Sequence, residues 1–300
     1  MSRVYVSLPL RGPTGEAGRE LLRGAELARR SVELVVLDAS GEDRDALAAE
    51  HARQAASDPD ALALIGGFHS SQAMAAAPAL ADLLFVTPSA TYSGLSGATL
   101  VRLMPDDRAL ARAVAHWLEQ QGVRQLLIVH DHDDGYGVPV ARMCAGAAQA
   151  EVRSRPVWDW EEDMAADVAG AEAVLYVGVA GSGAVRLWEG LHALDERLWL
   201  LGTDGVADPR LAKALGAGAA ARTRFFSTRH APWGFYGYEA LALVQDAIAF
   251  SGDRAGVVRT ARSMRERDSV LGRYSIDEDG HTTSSAYAAL EVRDGEIVWG

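Results

Sequence analysis

Small polar residues follow two neighbouring apolar runs of this sequence, at the points where the runs end. Ser70 and Ser71 come after the run at 61–65 and precede a segment with helical spacing. At such a helix start, hydroxyls and free backbone N–H groups can bind a carboxylate. The stretch at 87–91, which contains Ser89 and Thr91, follows the next run and offers hydroxyls and an exposed carbonyl or two, which suit a cationic amine. The ordinary alternatives are a helix cap for the serines at 70 and 71, which contributes about 1 kcal/mol, and a polar turn for the stretch at 87–91.

A single acidic residue, Asp204, stands in a glycine-flanked loop after the apolar run at 198–201. Its carboxylate could balance the charge of an amine, or it could be an ordinary turn aspartate. Ligands of open parallel sheets bind beyond the carboxyl ends of the strands. We therefore expect the residues after each run to include the binding residues.

The stretch at 130–134 is rich in residue types that bind metals. It forms one short loop without a second ligand cluster, and the twelfth position from Asp131 is Arg142, where a calcium loop has glutamate. We therefore predict a solvated acidic strand end and no metal.

The glycines at 178–183 follow an apolar run and precede a helical segment, as in dinucleotide-binding proteins. Their order is G-x-x-G-x-G instead of G-x-G-x-x-G, although Asp204 does lie at the end of the next run. The sequence contains no phosphate loop and no G-x-S-x-G elbow. We expect no cofactor.

Seven short apolar runs divide the sequence. Most are continuous stretches of Val, Ile and Leu without polar alternation, which is typical of strands covered on both faces. Segments with helical spacing separate them. Strand, helix and strand in succession predict an α/β fold with parallel central sheets flanked by helices. The runs lie at residues 4–8, 32–37, 61–65, 83–86, 125–129, 173–177 and 198–201.

The length of 300 residues suits two domains better than one core. We predict one domain from residues 1–107 with 235–271 and another from 108–234 with 272–300. The arginine-rich stretch at 255–267 predicts an amphipathic helix with a solvated charged face.

The formal net charge of −12 disfavours nucleic acid as a partner, because binding phosphates needs a basic face. The single cysteine, Cys144, excludes an internal disulfide. No apolar run reaches the roughly 18 residues of a membrane span, so we expect no direct membrane insertion. The chain enters a strand-like run soon after Met1. We expect a cytoplasmic protein if Met1 is the true start, and an exported, lipid-anchored one if a leader was trimmed.

Many short motifs follow one another along the chain in a characteristic order. They are Pro9-Leu10, Gly24-Ala25, Gly66-Gly67, Ser70-Ser71, Thr87-Pro88-Ser89-Ala90-Thr91, Arg102, Pro105-Asp106, Asp133-Asp134-Gly135-Tyr136-Gly137, Tyr236-Gly237-Tyr238-Glu239-Ala240 and Asp294-Gly295. In this order and spacing the chain resembles the type I periplasmic binding proteins of the branched-chain amino-acid (Leu/Ile/Val) receptor kind, over nearly its whole length. The resemblance implies two Rossmann-like lobes joined by a three-strand hinge, a Venus flytrap that captures a small ligand between its lobes.

By this resemblance, Ser70 or Ser71 and nearby backbone amides hold the carboxylate of an amino acid. The carbonyl of Ser89, the hydroxyl of Thr91 and the carboxylate of Asp204 hold its ammonium group. The resemblance also places Tyr136 on the far wall of the cleft. The remaining candidate ligand-binding residues are Phe68, His69, Ala90 and Ala180.

The loop at 179–182 lacks the aromatic residue that many of these receptors place over the ligand, so the resemblance leaves the ligand's side chain undefined. It implies no catalytic residue, a periplasmic or extracellular location, and an ABC-transporter permease or a sensor as partner. Two alternatives remain open: a nucleotide- or NAD-using α/β enzyme, and a cytoplasmic sensor domain for an amide or amino acid.

Overall fold

The structure, a computed structural model, describes residues 1–131, 136–157, 164–178, 183–228, 232–283 and 287–299. The chain forms two compact units. The first unit comprises Met1–Asp106 with Pro232–Ser285, and the second comprises Asp107–Ala231 with Ala286–Gly300.

The first unit begins with alternating strands and helices. Its four predicted strands are confirmed to within one residue at each end, and a short fifth strand follows them. The elements are β1 (Arg3–Leu8), α1 (Gly15–Ala28), β2 (Glu33–Asp38), α2 (Arg44–Ser57), β3 (Ala61–Gly66), α3 (Ser70–Ala76), β4 (Leu84–Thr87) and β5 (Leu100–Arg102).

These five strands form one parallel sheet in the order β2-β1-β3-β4-β5. Strands β3 and β4 are buried at every position, which explains their continuous apolar sequence. Because all five strands run the same way, the loops after β3 and β4 lie at the same edge of the sheet. This edge carries most of the predicted binding residues.

The second unit repeats this alternation. Its elements are α4 (Asp107–Gln121), β6 (Gln125–His130), α5 (Gly137–Ala147), β7 (Glu151–Pro156), α6 (Ala165–Val168), β8 (Ala173–Val177), α7 (Ala184–Leu194), β9 (Trp199–Gly202), α8 (Pro209–Ala214), α9 (Ala217–Ala221) and β10 (Thr223–Ser227).

The chain then forms two helices of the first unit, α10 (Trp233–Phe250) and α11 (Arg254–Arg262), and ends with the hairpin β11 (Ala288–Arg293) and β12 (Glu296–Trp299) of the second. The two strands of this hairpin are antiparallel, and its turn contains Asp294 and Gly295, both at positive φ. The second sheet has the order β12-β11-β10-β9-β8-β6-β7 and is parallel from β10 to β7.

In the structure, the stretch before the hairpin belongs to the first unit. The sequence analysis instead assigned all residues from 272 onwards to the second unit. Ile276 N donates to Met264 O over 3.0 Å, and Thr282 N donates to Arg102 O over 3.1 Å. These backbone hydrogen bonds tie the segment to β5 and to the end of α11, because it continues the pairing at that edge of the first sheet.

The prediction of a helix with a solvated arginine face over residues 255–267 is wrong for the last residues of this stretch. Helix α11 stops at Arg262, and Arg267 lies beyond it with only 14% of its side chain exposed. Its guanidinium is 2.6 Å from Glu239, whose side chain is 1% exposed, and 2.7 Å from Asp246. Arg267 is therefore part of a buried ion network, because the chain beyond α11 packs against helix α10.

Candidate functional site

The loops after β3 and β4 bring together the hydroxyl residues that the sequence singled out. We call Ser70, Ser71, Ser89 and Thr91 the serine–threonine group. All four lie in the first unit, beyond the carboxyl ends of two neighbouring strands. Helix α3 begins at Ser70, two residues before the start that the sequence predicts, so both serines belong to its first turn.

Hydrogen bonds between the two loops make the serine–threonine group rigid. Ser70 Oγ accepts from the backbone N–H groups of Thr91 and Tyr92, over 3.3 and 3.1 Å. Ser89 Oγ donates to Phe68 O over 3.0 Å. The Ser70 hydroxyl therefore binds the neighbouring loop, and its alternative role as a helix cap is not what the structure shows: the residue before the helix is His69.

Two members of the group differ in how their hydroxyls are used. Ser71 Oγ donates to Asp45 over 2.9 Å. Thr91 is 5% exposed, and its hydroxyl has no hydrogen-bond partner among the residues that the structure describes. Ala90, between Ser89 and Thr91, is buried, and its N–H donates to Thr87 Oγ1. Thr91 is therefore the hydroxyl of this group that is most available to a ligand.

Aromatic side chains stand beside these loops in the same unit. The ring of Phe68 lies 5.0 Å from that of His69, edge to face, and 5.5 Å from that of Trp233. Phe68, His69 and Trp233 are all partly exposed. They provide an apolar wall of the kind that aromatic side chains form in binding sites.

In the second unit, Asp204 follows β9 and is surrounded by hydroxyls. We call Asp204, Tyr136, Thr203 and Tyr287 the aspartate–tyrosine group. Tyr136 Oη is 2.8 Å from Asp204 Oδ1 and 3.1 Å from Thr203 Oγ1, and Tyr287 Oη is 3.2 Å from Asp204 Oδ2. A phenol has one proton, so both contacts of Tyr136 are satisfied when Thr203 donates to Tyr136 and Tyr136 donates to Asp204.

The Asp204 carboxylate has hydroxyl donors but no cationic side chain. No Lys, Arg or His lies within 4.0 Å of it among the described residues. Burial raises the pKa of Asp204, and the two tyrosine hydroxyls and the Gly205 backbone N–H lower it again in part. Burial, and then the charge of Asp204, raise the pKa of Tyr136 well above its ordinary value, so its phenol keeps the proton it donates. Among the described residues, the aspartate–tyrosine group therefore holds a carboxylate that has hydroxyl donors and no cationic partner.

A second carboxylate, Asp131, lies at the same edge of the second sheet, after β6. Its Oδ1 accepts from Tyr176 Oη over 2.5 Å. The backbone at Gly178 lies so close that a Cβ there would be 2.5 Å from Asp131 Oδ2. Glycine at 178 is thus explained by this close approach, without a dinucleotide.

The sequence analysis missed Thr203 and Tyr287 as neighbours of Asp204. Thr203 is adjacent to Asp204 in the sequence and is fully buried, and Tyr287 is 5% exposed. Tyr287 directly precedes the final hairpin, and only the strand order brings it to Asp204. Ala180, together with most of the glycine-rich loop at 178–183 and of the acidic loop at 130–134, lies outside the described residues.

No group of three or more metal-binding side chains exists among the described residues, and none of the helices described is long and apolar enough to span a membrane. A cavity of about 570 Å³ lies at the opposite, amino edge of the second sheet. Arg222, one of its lining residues, covers the ring of Trp199 at 3.7 Å and donates to the carbonyls of Arg197 and Leu198.

Two doubly wound α/β units, each with polar side chains beyond the carboxyl ends of its strands, are the architecture of a two-lobed binding protein for small molecules. The sequence model of the periplasmic binding proteins matches residues 3–234, well over half of the chain. The chain therefore belongs to the periplasmic binding protein family, and its fold is the type I form. No curated protein matches the sequence.

Solved structures with the same fold cover almost the whole chain. The leucine-binding protein LivK of Thermotoga maritima is 21% identical, with a TM-score of 0.86 over 100% of this chain and 98% of that one. LivJ of Streptococcus pneumoniae, solved with isoleucine, is 18% identical, with a TM-score of 0.84 over 99% and 97%. A solute-binding protein of R. palustris, solved with benzoate, is 17% identical, with a TM-score of 0.79 over 99% and 94%.

Proposed function

We propose that this protein is the extracytoplasmic solute-binding component of an ABC-type transporter or sensor, and that it captures an amino acid or a closely related zwitterion. Binding is its role and catalysis is not. One observation carries the proposal: Asp204 is a carboxylate held by two tyrosines, and no cationic side chain lies within 4.0 Å of it in the described residues. An uncompensated charge in a partly buried position costs free energy, and a ligand ammonium group would offset this cost.

The first unit offers groups for both ends of a zwitterion: backbone N–H groups in the first turn of α3 for the carboxylate, and the Thr91 hydroxyl and the Ser89 carbonyl for the ammonium. The two loops of the serine–threonine group are fixed by hydrogen bonds before any ligand arrives, and Thr91 keeps an available hydroxyl. Such preorganisation reduces the entropy that binding must otherwise offset. We propose that the first unit binds the carboxylate and contributes Thr91 and the Ser89 carbonyl to the ammonium, and that Asp204 of the second unit binds the ammonium.

The family and the printed functions of similar proteins support this ligand class. LivK and LivJ are leucine- and branched-chain amino-acid-binding proteins by their names, and the R. palustris protein is described as bound to benzoate. Phe68, His69 and Trp233 would contact the side chain of the ligand. A membrane permease would then be the partner that recognises the ligand-bound protein.

Calorimetric titration of refolded, ligand-free protein against branched-chain, aromatic and small polar L-amino acids tests the proposal. We expect saturable one-to-one binding of at least one of them. Asp204→Asn should weaken that binding by about 2 kcal/mol, roughly 30-fold, because the ammonium loses its charged acceptor. Absence of heat with every amino acid, while benzoate binds, would reject the zwitterion and retain the binding fold.

A matched control separates the effect on the site from a general effect of removing a carboxylate. Asp195→Asn removes a carboxylate of the same unit that pairs with Arg197 at the other edge of the sheet. We expect the affinity to remain that of the wild type. An equal loss in both variants would show that Asp204 does not bind the ligand directly.

The raised pKa of Asp204 predicts a pH dependence of ligand binding. The ammonium requires the ionised carboxylate, which exists above the pKa of Asp204 and is lost below it. Since burial raises this pKa, affinity should begin to fall at a higher pH than an ordinary aspartate would give, and then by about tenfold per pH unit. Calorimetric titrations between about pH 7.5 and pH 4.5 measure this. In Asp204→Asn the acid decline should disappear, and a decline that persists there would assign it to another group.

A further inference from the structure

The last segment of the chain brings a buried tyrosine to the Asp204 carboxylate. Tyr287 directly precedes β11, whose residue Ala288 is opposite Ser227 at the carboxyl end of β10. Strand β10 runs parallel to β9, with Phe225 beside Gly202, two residues before Asp204. The strand order thus places Tyr287 and Asp204 at one edge of the sheet, although they are 83 positions apart in the sequence.

The two tyrosines act on different oxygens of the same carboxylate. Tyr136 donates to Oδ1 over 2.8 Å, and Tyr287 donates to Oδ2 over 3.2 Å. A carboxylate can rotate about its Cβ–Cγ bond, because terminal sp³–sp² torsions are broad. A tyrosine donor on each oxygen opposes that rotation and restrains the plane of the carboxylate.

The backbone next to Asp204, at Gly205, is also held in close contact with its neighbours. A Cβ at Gly205 would lie 2.4 Å from Gly178 O and 3.5 Å from the ring of Tyr136. The turn after β9 is therefore in close contact with the end of β8. Tyr287 is the donor to Oδ2 of the Asp204 side chain, and Tyr136 is the donor to Oδ1.

We propose that Tyr287 is a positioning residue of the ligand site, which keeps the Asp204 carboxylate ionised and in one orientation for a primary ammonium group of the ligand. The ligand in this proposal, a molecule with a primary ammonium group, is taken from the proposed function. The contact of Tyr287 with Asp204 can be tested without any ligand. A hydroxyl that merely filled space in the core would not influence the ionisation of Asp204.

The first experiment is an NMR titration of the ¹³C-labelled aspartate carboxyl groups, with the Asp204 signal assigned by its absence in Asp204→Asn. In Tyr287→Phe the pKa of Asp204 should rise by about one unit, because the ionised form loses a hydrogen-bond donor. Tyr5→Phe is the matched control. Tyr5 donates to Asp58 over 3.0 Å in the first unit, so its removal should leave Asp204 unchanged. An unchanged Asp204 in folded Tyr287→Phe overturns the proposal.

The second experiment measures the affinity for L-leucine by calorimetry in the wild type, Tyr287→Phe and Tyr5→Phe. Tyr287→Phe should bind leucine roughly tenfold more weakly than the wild type. The acid decline of its leucine affinity should start at a higher pH, by the same amount as the pKa shift of Asp204 that NMR gives. Tyr5→Phe should match the wild type. A shifted pKa with full leucine affinity at neutral pH and in acid would overturn the positioning role. If the wild type binds neither leucine nor any other amine, the proposed function fails, and the titration of Asp204 still decides whether Tyr287 controls that carboxylate.

Discussion

Replacing Arg267 with methionine is expected to lower the free energy of unfolding by about 3–5 kcal/mol, because it leaves the buried carboxylate of Glu239 without its cation. The Arg267 guanidinium is 2.6 Å from Glu239 Oε1, which also accepts from Tyr274 Oη over 2.6 Å. Burial raises the pKa of Glu239 even with the cation in place. Urea-induced unfolding, followed by circular dichroism, measures the loss.

A double variant separates the ion pair from the shape of the side chains. Glu239→Met together with Arg267→Met removes both charges, and it should be more stable than Arg267→Met because no unpaired charge is left buried. Arg273→Ala is the control. Arg273 pairs with Asp268 on the surface, with more than half of each side chain exposed, and we expect no measurable change. Equal instability of the single and double methionine variants would show that packing and not charge explains the effect.

The second large effect is expected at the contact of helices α1 and α10. Gly237 lies against the backbone of α1, where a Cβ would be 1.9 Å from Leu21 O. Gly237→Ala should therefore force the helices apart and destabilise the first unit by about 3 kcal/mol, the upper part of the range for overpacked cores. The same unfolding experiment measures it, and a red shift of tryptophan fluorescence from Trp233, at the start of α10, would report the displacement.

Gly252→Ala provides the comparison for this variant. Gly252 follows α10 in the same unit, and a Cβ there would meet nothing within 4 Å. Its substitution should change the stability by less than about 0.5 kcal/mol. Wild-type stability of Gly237→Ala would mean that the helices can separate at little cost, contrary to the close contact of their backbones.

The positions of the buried strands could be predicted from the sequence because their signal is local. Strands β3 and β8 are buried at all positions, so each gives an uninterrupted apolar run. Strand β7 gives no such run, because it is the edge strand of the second sheet and its residues are mainly exposed. Its assignment depends on hydrogen bonding to β6, which no local pattern reveals.

In the candidate site, too, the loops could be predicted from local sequence and the hydrogen-bond partners could not. The hydroxyl residues after β3 and β4 could be singled out because parallel strands bring their carboxyl ends to one edge. How each hydroxyl is bonded could not be predicted: the sequence offered Ser70 as a helix cap or as a ligand group, and its hydroxyl accepts from the N–H groups of Thr91 and Tyr92.

By itself the sequence determined the α/β class, the family resemblance and the loops that carry the polar groups, since apolar periodicity and short motifs are properties of neighbouring residues. The tertiary structure decided the partners of the charged residues. Tyr287 contacts Asp204 across 83 positions, and Arg267 contacts Glu239 across 28. Such contacts follow from the strand order and from helix packing. They fix which charges are compensated within the described part of the protein.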